Sequence, residues 1–165
     1  MITVVVDELA SLRVDALLRP AGESLEPLAA AASRLDERAG SRFADQSRVS
    51  SPLEAGAAVV TGGGDLAAPF VIHVVIRDAS RPVARATVRR ALVSAWQRAG
   101  AWGLGRIATP LVGTDGGALT MAEAAGLLVE TFPRPGTGEG PSELCIVVDR
   151  QEDREAVEAI VRRTA

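Results

Sequence analysis

Residues 57 to 76 read AAVVTGGGDLAAPFVIHVVI, two aliphatic runs separated by three glycines and Asp65. Glycines and an aspartate between apolar runs favour a turn, so the stretch predicts a strand, a turn and a second strand. The second run is almost continuously apolar, which is typical of a strand covered on both faces. The segment therefore predicts two strands of an α/β sheet.

Helical periodicity flanks this segment on both sides. Apolar residues recur every three or four positions from Leu25 to Ala39, with Pro27 near the start and Gly40 after the end. A second stripe from Pro82 to Ala99 stops before Gly100. Further strands are predicted at Ile2–Val6, Asp15–Leu18, Arg106–Val112 and Ser142–Asp149, and further helices at Ala122–Glu130 and Asp153–Arg163. Alternating strands and helices predict a three-layer α/β/α sandwich, and we expect residues 1–165 to form one domain.

Composition and charge exclude several classes of protein. The net charge of −3 argues against a strongly basic nucleic-acid binder, and the arginines of the second helix are typical of a solvated helix face. Cys145 is the single cysteine, so no disulfide framework is expected. His73 is the single histidine, inside an apolar strand, and we expect neither a metal site nor a cofactor. Without a basic leader or a long apolar run, the chain is expected to be cytoplasmic and to have no membrane partner.

Three stretches, taken in order, resemble the macro domain, a module that binds ADP-ribose. VDELASLRVDALLRPAG, at 6–22, is similar to the opening strand, acidic turn and second strand of that family. EAGAAVVTGGGDLAAPFVIHVV, at 54–75, is similar to its strand, turn and Ile-His strand. RIATPLVGTDGGALTMAEAA, at 106–125, resembles the strand, glycine loop and helix start that cover the distal phosphate and ribose. The resemblance implies a single macro-like α/β/α domain with a mixed sheet.

The chain departs from the family in the first phosphate loop. Where the family carries two asparagines around an Ala-Ala pair, this chain has Arg19, Pro20, Ala21 and Gly22, and Gly22 has no side chain to position a ribose or a water. The glycine run that follows in the family is replaced here by EPLAAA at 26–31. Proline lacks an N–H group, and alanine Cβ atoms limit close approach of a diphosphate. The resemblance therefore implies a degenerate first loop.

Two residues of this region are candidate ligand contacts through the resemblance. Glu8 lies at or next to the family position whose carboxylate accepts a hydrogen bond from the adenine amino group, and Asp7 is the alternative. Arg19 is the one substitution that favours an anion, because a guanidinium makes bidentate phosphate contacts. Arg19 either replaces the lost backbone donors or lies at a strand end in solvent.

The second glycine loop matches the family better. Gly113, Thr114, Gly116 and Gly117 are expected to form an anion cradle from their backbone N–H groups, or else a plain strand-to-helix turn. Asp115 opposes phosphate binding if it points inward. A carboxylate about 5 Å from a phosphate costs on the order of 3 kcal/mol at an effective dielectric near 20.

We expect a ligand cleft between Arg19–Glu26 and Val112–Leu119, because both segments follow strand ends. These features predict a divergent macro domain that binds ADP-ribose or a related nucleotide weakly and lacks catalysis. An active ADP-ribosyl or O-acetyl-ADP-ribose hydrolase is one alternative. A scaffold that binds a protein partner and no small ligand is another, which exposed apolar surface at Trp102 or at Arg134–Pro141 would favour.

Overall fold

The computed structural model describes residues 1–164, and its core is a six-stranded sheet. The strands are β1 (Ile2–Val6), β2 (Ala16–Ala21), β3 (Ala58–Gly62), β4 (Phe70–Val75), β5 (Arg106–Thr109) and β6 (Glu143–Val148). The helices are α1 (Ala30–Gln46), α2 (Arg85–Ala101), α3 (Met121–Thr131) and α4 (Gln151–Thr164). Short 3-10 turns lie at Leu9–Ser11 and Asp115–Gly117.

The strand order is β1-β6-β5-β2-β4-β3, and the only antiparallel pairing within this sheet is between β3 and β4. The sheet is therefore mixed, as predicted. The glycine-rich stretch at 63–69 makes the reversal between those two strands, and a Cβ at Gly64 would collide with the carbonyl oxygen of Ala39. The turn thus packs against α1.

Helices cover the two faces of the sheet unequally. Leu92 of α2, Leu127 of α3 and Val157 of α4 share one hydrophobic core with residues of one face of the sheet, such as Ile72. Leu35 and Phe43 of α1 pack on the other face. The predicted α/β/α sandwich is confirmed, with three helices on one side and one on the other. Within residues 1–164, no helix has the length and apolar character needed to cross a membrane.

The first helix begins and ends elsewhere than predicted. Its prediction at Leu25–Ala39 is wrong at the start, because Leu25 has φ of +60° and Pro27 forms an isolated bridge with Ala21. Helical structure begins at Ala30. Gly40 has φ of +86°, yet the chain returns to helix and continues to Gln46, so this glycine makes a kink.

Two other boundaries follow from local chemistry. β5 ends at Thr109, earlier than predicted, because Pro110 has no N–H to donate to a neighbouring strand. α3 begins after Thr120, whose hydroxyl accepts from the Glu123 backbone N–H at 3.1 Å while the Glu123 carboxylate accepts from the Thr120 N–H at 3.1 Å. This capping box fixes where the glycine loop ends.

Candidate functional site

A cleft lies at the carboxyl ends of the parallel strands, which is where open α/β sheets place their ligands. It runs between residues 28–34, at the start of α1, and residues 110–116, after β5. It contains two cavities. The proximal cavity, of about 200 Å³, is bounded by Asp7, Leu9, Ala29–Ala31, Arg34, Leu111, Thr114, Val147, Asp149 and Asp153 among others. The distal cavity, of about 170 Å³, is lined by Leu28, Ile76, Arg77, Val83, Gly113 and Gly116, and Asp115 borders both.

The amino terminus of α1 forms one wall of the proximal cavity. Its capping residue, Ala29, has no side-chain oxygen, and the backbone N–H groups of Ala30, Ala31 and Ala32 pair with no protein acceptor within residues 1–164. Unpaired amides at a helix amino terminus attract anions, helped by the helix dipole. The first loop therefore keeps backbone donors that the sequence argument, based on Pro27 and alanine Cβ atoms, leaves out.

The glycine loop after β5 forms the opposite wall. Among residues 1–164, no protein acceptor pairs with the backbone N–H groups of Gly113, Thr114, Asp115 and Gly116, and each of these residues lines one of the two cavities. Gly113 has φ of +94°, and a Cβ there would lie 2.8 Å from the side chain of Leu119. Gly117 is different, because its N–H donates to the carbonyl of Thr114 at 3.0 Å and it lines neither cavity.

Asp115 places a carboxylate where the two cavities meet. Partial burial by the surrounding loop raises the pKa of Asp115 above its ordinary value. Its backbone N–H is an available donor, whereas its side chain repels anions. The loop thus carries attraction and repulsion at the same residue.

The acidic turn after β1 separates the two candidate carboxylates. Glu8 accepts a hydrogen bond from Arg34 Nε at 2.8 Å and does not line the proximal cavity. Asp7 does line it; one oxygen accepts from the Glu8 N–H at 2.7 Å, and the other accepts no hydrogen bond within residues 1–164. Hydrogen bonding to Glu8 raises the pKa of the Arg34 guanidinium, which also lies 3.4 Å from Asp149. Asp7 is thus the better placed of the two carboxylates.

Arg19 lies neither in solvent nor in either cavity, which differs from both sequence expectations. It is 2% exposed, and its guanidinium makes two hydrogen bonds of 2.7 Å to Asp36. Nη1 also donates to the Leu25 carbonyl at 2.7 Å and to His73 Nδ1 at 3.2 Å. Because a guanidinium only donates, His73 Nδ1 accepts, and the ring proton on Nε2 is donated to Thr61 at 2.8 Å. Arg19 therefore organises a buried network between β2, β4 and α1.

Ala21 and Gly22 are buried, and neither lines either cavity. The chain turns back over them, so that Gly22 N–H donates to the Glu26 carbonyl at 2.9 Å. A Cβ at Gly22 would occupy the space of the Glu26 carboxylate. That carboxylate therefore stands where a side chain at position 22 would begin, and the cleft wall moves from residues 19–26 to residues 28–34.

Arg77 is one of the cavity-lining residues that sequence reasoning missed, together with Arg34, Asp149 and Asp153. It follows the buried strand β4, lines the distal cavity, and lies 3.8 Å from Glu26. Its position directly after the apolar run at 70–76 is the signal that could have identified it, because residues at the carboxyl ends of parallel strands border the cleft.

Solved structures with the same architecture come from several sources. The Oceanobacillus iheyensis macrodomain with MES bound superimposes with a TM-score of 0.83 at 16% identity, covering 97% of this chain and 89% of that one. A mutant of that macrodomain with ADPR gives 0.78 at 18% identity, covering 98% and 89%. The Trypanosoma brucei macrodomain in complex with ADP gives 0.80 at 19% identity, covering 97% and 68%. At these identities the likeness shows the fold.

Sequence comparisons identify the family. A protein of Aeropyrum pernix described as uncharacterized is 29% identical over 126 residues, which are 76% of this chain and 67% of that protein. An uncharacterized protein of Mycobacterium tuberculosis is 25% identical over 131 residues, 79% of this chain but only 36% of that longer protein. The chain thus spans about two thirds of the first relative and little more than a third of the second. The family model of the macro domain matches residues 19–128, well over half of the sequence, and the chain therefore belongs to the macro domain family.

Proposed function

We propose that this macro domain binds ADP-ribose or a related adenine nucleotide weakly in the cleft and does not hydrolyse it. The observation that carries the proposal is the pair of facing walls with unpaired backbone N–H groups in the proximal cavity, Ala30 and Ala31 on α1 and Thr114 and Asp115 on the glycine loop. Two opposed sets of donors suit a diphosphate, which accepts hydrogen bonds on both sides. Structural neighbours in complex with ADP or ADPR support this assignment.

The proximal cavity supplies the features of an adenine site. Leu9, Leu111 and Val147 give it apolar walls, and Asp7 offers a free carboxylate oxygen to an exocyclic amino group. We therefore assign to Asp7 the role expected of Glu8, whose carboxylate is engaged by Arg34. The base would lie against β1 and β6, with its phosphates towards α1.

Charge makes the diphosphate interaction weak. The proximal cavity is lined by one cation, Arg34, and by four carboxylates, which are Asp7, Asp115, Asp149 and Asp153. Arg34 already pairs with Glu8 and Asp149. The backbone donors thus act against an unfavourable field, which predicts lower affinity for a doubly charged ligand than for adenosine-like ones.

The expected absence of hydrolysis follows from Gly22 and Glu26. Gly22 carries no water-orienting group, and the Glu26 carboxylate in its place accepts from the Ser24 N–H at 2.9 Å and lies near Arg77. In the hydrolase alternative, Asp115 or another carboxylate of the cleft acts as the base, and the raised pKa and the position of Asp115 suit that role. Release of ADP-ribose from a modified protein, lost in Asp115→Asn, would support that alternative.

Calorimetric titration with ADP-ribose, ADP and adenosine tests the proposal. We expect ADP-ribose to bind with a dissociation constant above about 10 μM, and Asp7→Ala to weaken all three ligands by about ten-fold. Asp45→Ala, at an exposed site at the far end of α1, is the matched control. Tighter binding of ADP-ribose would refute the weak site, and equal effects of the two variants would remove Asp7 from the adenine site.

A scaffold role is a second candidate. An open groove of about 630 Å³ lies near the amino ends of β5 and β6, between the end of α2 and the loop at 133–140. Trp102, at the end of α2, is 54% exposed.

We further propose that residues 1–165 form one domain, and we expect this domain to be cytoplasmic.

A further inference from the structure

The exposed flank of α4 carries one residue pattern that the nucleotide site does not explain. Glu152, Ala156, Ala159 and Arg163 follow one another at intervals of four, three and four residues, so they form a single stripe along the helix. Glu152 and Arg163 are exposed and the two alanines are half-buried, whereas Val157 and Ile160 face the core. The stripe therefore lies on the surface beside the buried face of the helix.

The stripe borders an open groove of about 560 Å³ between α4 and the start of α3. Met121 and Ala122 form one side of the groove, and Ala156, Ala159 and Arg163 form the other. Small side chains along a groove let a second helix approach closely. The shape is therefore suited to a helix.

The charged residues at the two ends of the stripe are exposed and form no ion pair within residues 1–164. Asp153, Arg154, Glu158 and Arg162 of the helix take part in ion pairs, for example Arg154 with Glu158 at 2.8 Å. Glu155 has no ion pair within residues 1–164, but it does not belong to the stripe. Neither Glu152 nor Arg163 has an ion-pair partner in the part of the chain that the structure describes. A partner that fits must therefore present a cation near Glu152 and an anion near Arg163.

A second copy of α4 meets this requirement. The stripe is symmetric about the peptide bond between Val157 and Glu158, since the two alanines are equidistant from it in sequence and the two charged residues are also equidistant. An antiparallel second helix therefore places its Arg163 opposite Glu152 and its Ala159 opposite Ala156. A two-fold interface requires this self-complementarity, in which residue i meets j and j meets i. We infer that this chain forms a symmetric dimer through α4, with the α4 of each copy seated in the groove of the other.

Sedimentation velocity over a concentration series tests the inference. One helix from each copy buries less than the roughly 1,600 Å² of a standard interface, so the dimer should be weak. It should nevertheless be detectable at protein concentrations up to about 300 μM. Glu152→Arg and Arg163→Glu should each weaken it by about ten-fold, because each change turns two symmetry-related attractions into repulsions. The double variant with both changes should recover dimerisation, since it restores opposite charges at both ends.

Matched controls separate this contact from general charge effects. Glu37→Arg on α1 and Arg13→Glu before β2 make the same changes in net charge at exposed sites without an ion-pair partner within residues 1–164, and they should leave the dimer unchanged. Ala156→Gln keeps helix propensity but blocks close approach of the second helix, so it should weaken the dimer without a change in charge. It keeps the inference testable if a charge variant perturbs the fold. A chain that stays monomeric at about 300 μM, or a double variant no better than the single ones, would overturn the inference. A dimer indifferent to all four α4 variants would also overturn it, because the contact would then lie on another surface.

Discussion

The guanidinium of Arg19 and the carboxylate of Asp36 face each other across two hydrogen bonds of 2.7 Å, joining the central strand β2 to helix α1. Arg19 also holds the carbonyl of Leu25, the one non-glycine residue with positive φ within residues 1–164. The pair therefore fixes the turn that precedes α1. Because α1 begins at the cleft, a structural ion pair determines where its amino-terminal donors lie.

Asp36→Ala should lower the free energy of unfolding by about 2–3 kcal/mol. Breaking a buried pair leaves an uncompensated charge and typically costs about 3–5 kcal/mol, and Asp36 is 31% exposed, which reduces the loss. The measurement is urea unfolding at neutral pH. Glu37→Ala, an exposed neighbour on the same helix, should change stability by less than about 0.5 kcal/mol. Similar losses in the two variants would show that Arg19 finds another partner or water.

His73 should make stability depend on pH. Burial, and then the charge of Arg19, lower the pKa of His73 from 6.5 to about 3. Between these values the unfolded chain binds a proton that the folded chain does not, so stability falls as pH falls through this window. From pH 6 to pH 4 the wild type should lose up to about 2.5 kcal/mol more than His73→Gln, measured by urea unfolding at each pH. Since His73 is the single histidine, parallel pH curves of the two proteins would contradict the low pKa.

Much of the fold follows from the sequence because strand and helix periodicities are local signals. The strands at Ile2–Val6 and around His73 form where the apolar runs predict them. The start and the kink of α1 could not be predicted in this way, because they depend on contacts with other parts of the chain and not on periodicity. Pro27 bridges to Ala21, and Asp65 N–H donates to the carbonyl of Ala39 at the kink, at 2.9 Å.

The cleft was predictable, but the roles of its residues were not. The glycine loop carries a turn pattern that indicates available backbone N–H groups, and the structure shows them at 113–116. The direction of a long side chain has no such local signal. Arg19 points into the core because Asp36, nearly two turns inside α1, accepts its hydrogen bonds. Arg77 borders the distal cavity because its strand ends there.

Asp115→Asn should raise the affinity for ADP-ribose by about ten-fold. The Coulomb cost of about 3 kcal/mol at 5 Å is an upper figure, because this carboxylate is solvent-exposed on one side. Calorimetric titrations at pH 7.5 and pH 5 add a second readout. Because its pKa is raised, Asp115 takes up a proton at a higher pH than an ordinary aspartate does. From pH 7.5 to pH 5, the affinity of the wild type for ADP-ribose should therefore rise more than that of Asp115→Asn. Glu37→Gln, an exposed acid on α1, serves as control. An unchanged affinity in Asp115→Asn would place the defect at the start of α1.

Arg77 should distinguish ligands by their length. It lines the distal cavity, beyond Asp115, so it is within reach of a ligand that extends past the diphosphate but not of one that ends there. Arg77→Ala is therefore expected to weaken ADP-ribose by about five-fold, the loss of one exposed charged hydrogen bond, and to leave ADP unchanged. The dissociation constants for ADP-ribose and for ADP can both be measured from the shifts of NMR amide signals when ligand is added to millimolar concentration, even if binding is weak.

Arg81→Ala is the matched control for this prediction, because Arg81 pairs with Glu54 at 3.0 Å and lines neither cavity. Equal losses for ADP and ADP-ribose in Arg77→Ala, abolished by about 0.5 M salt, would mean that Arg77 acts only through its long-range charge. A loss confined to ADP-ribose that persists in salt requires direct contact at the distal end. Glu26 lies 3.8 Å from Arg77, so Glu26→Gln should free the guanidinium. This variant should then strengthen the binding of ADP-ribose and leave the binding of ADP unchanged.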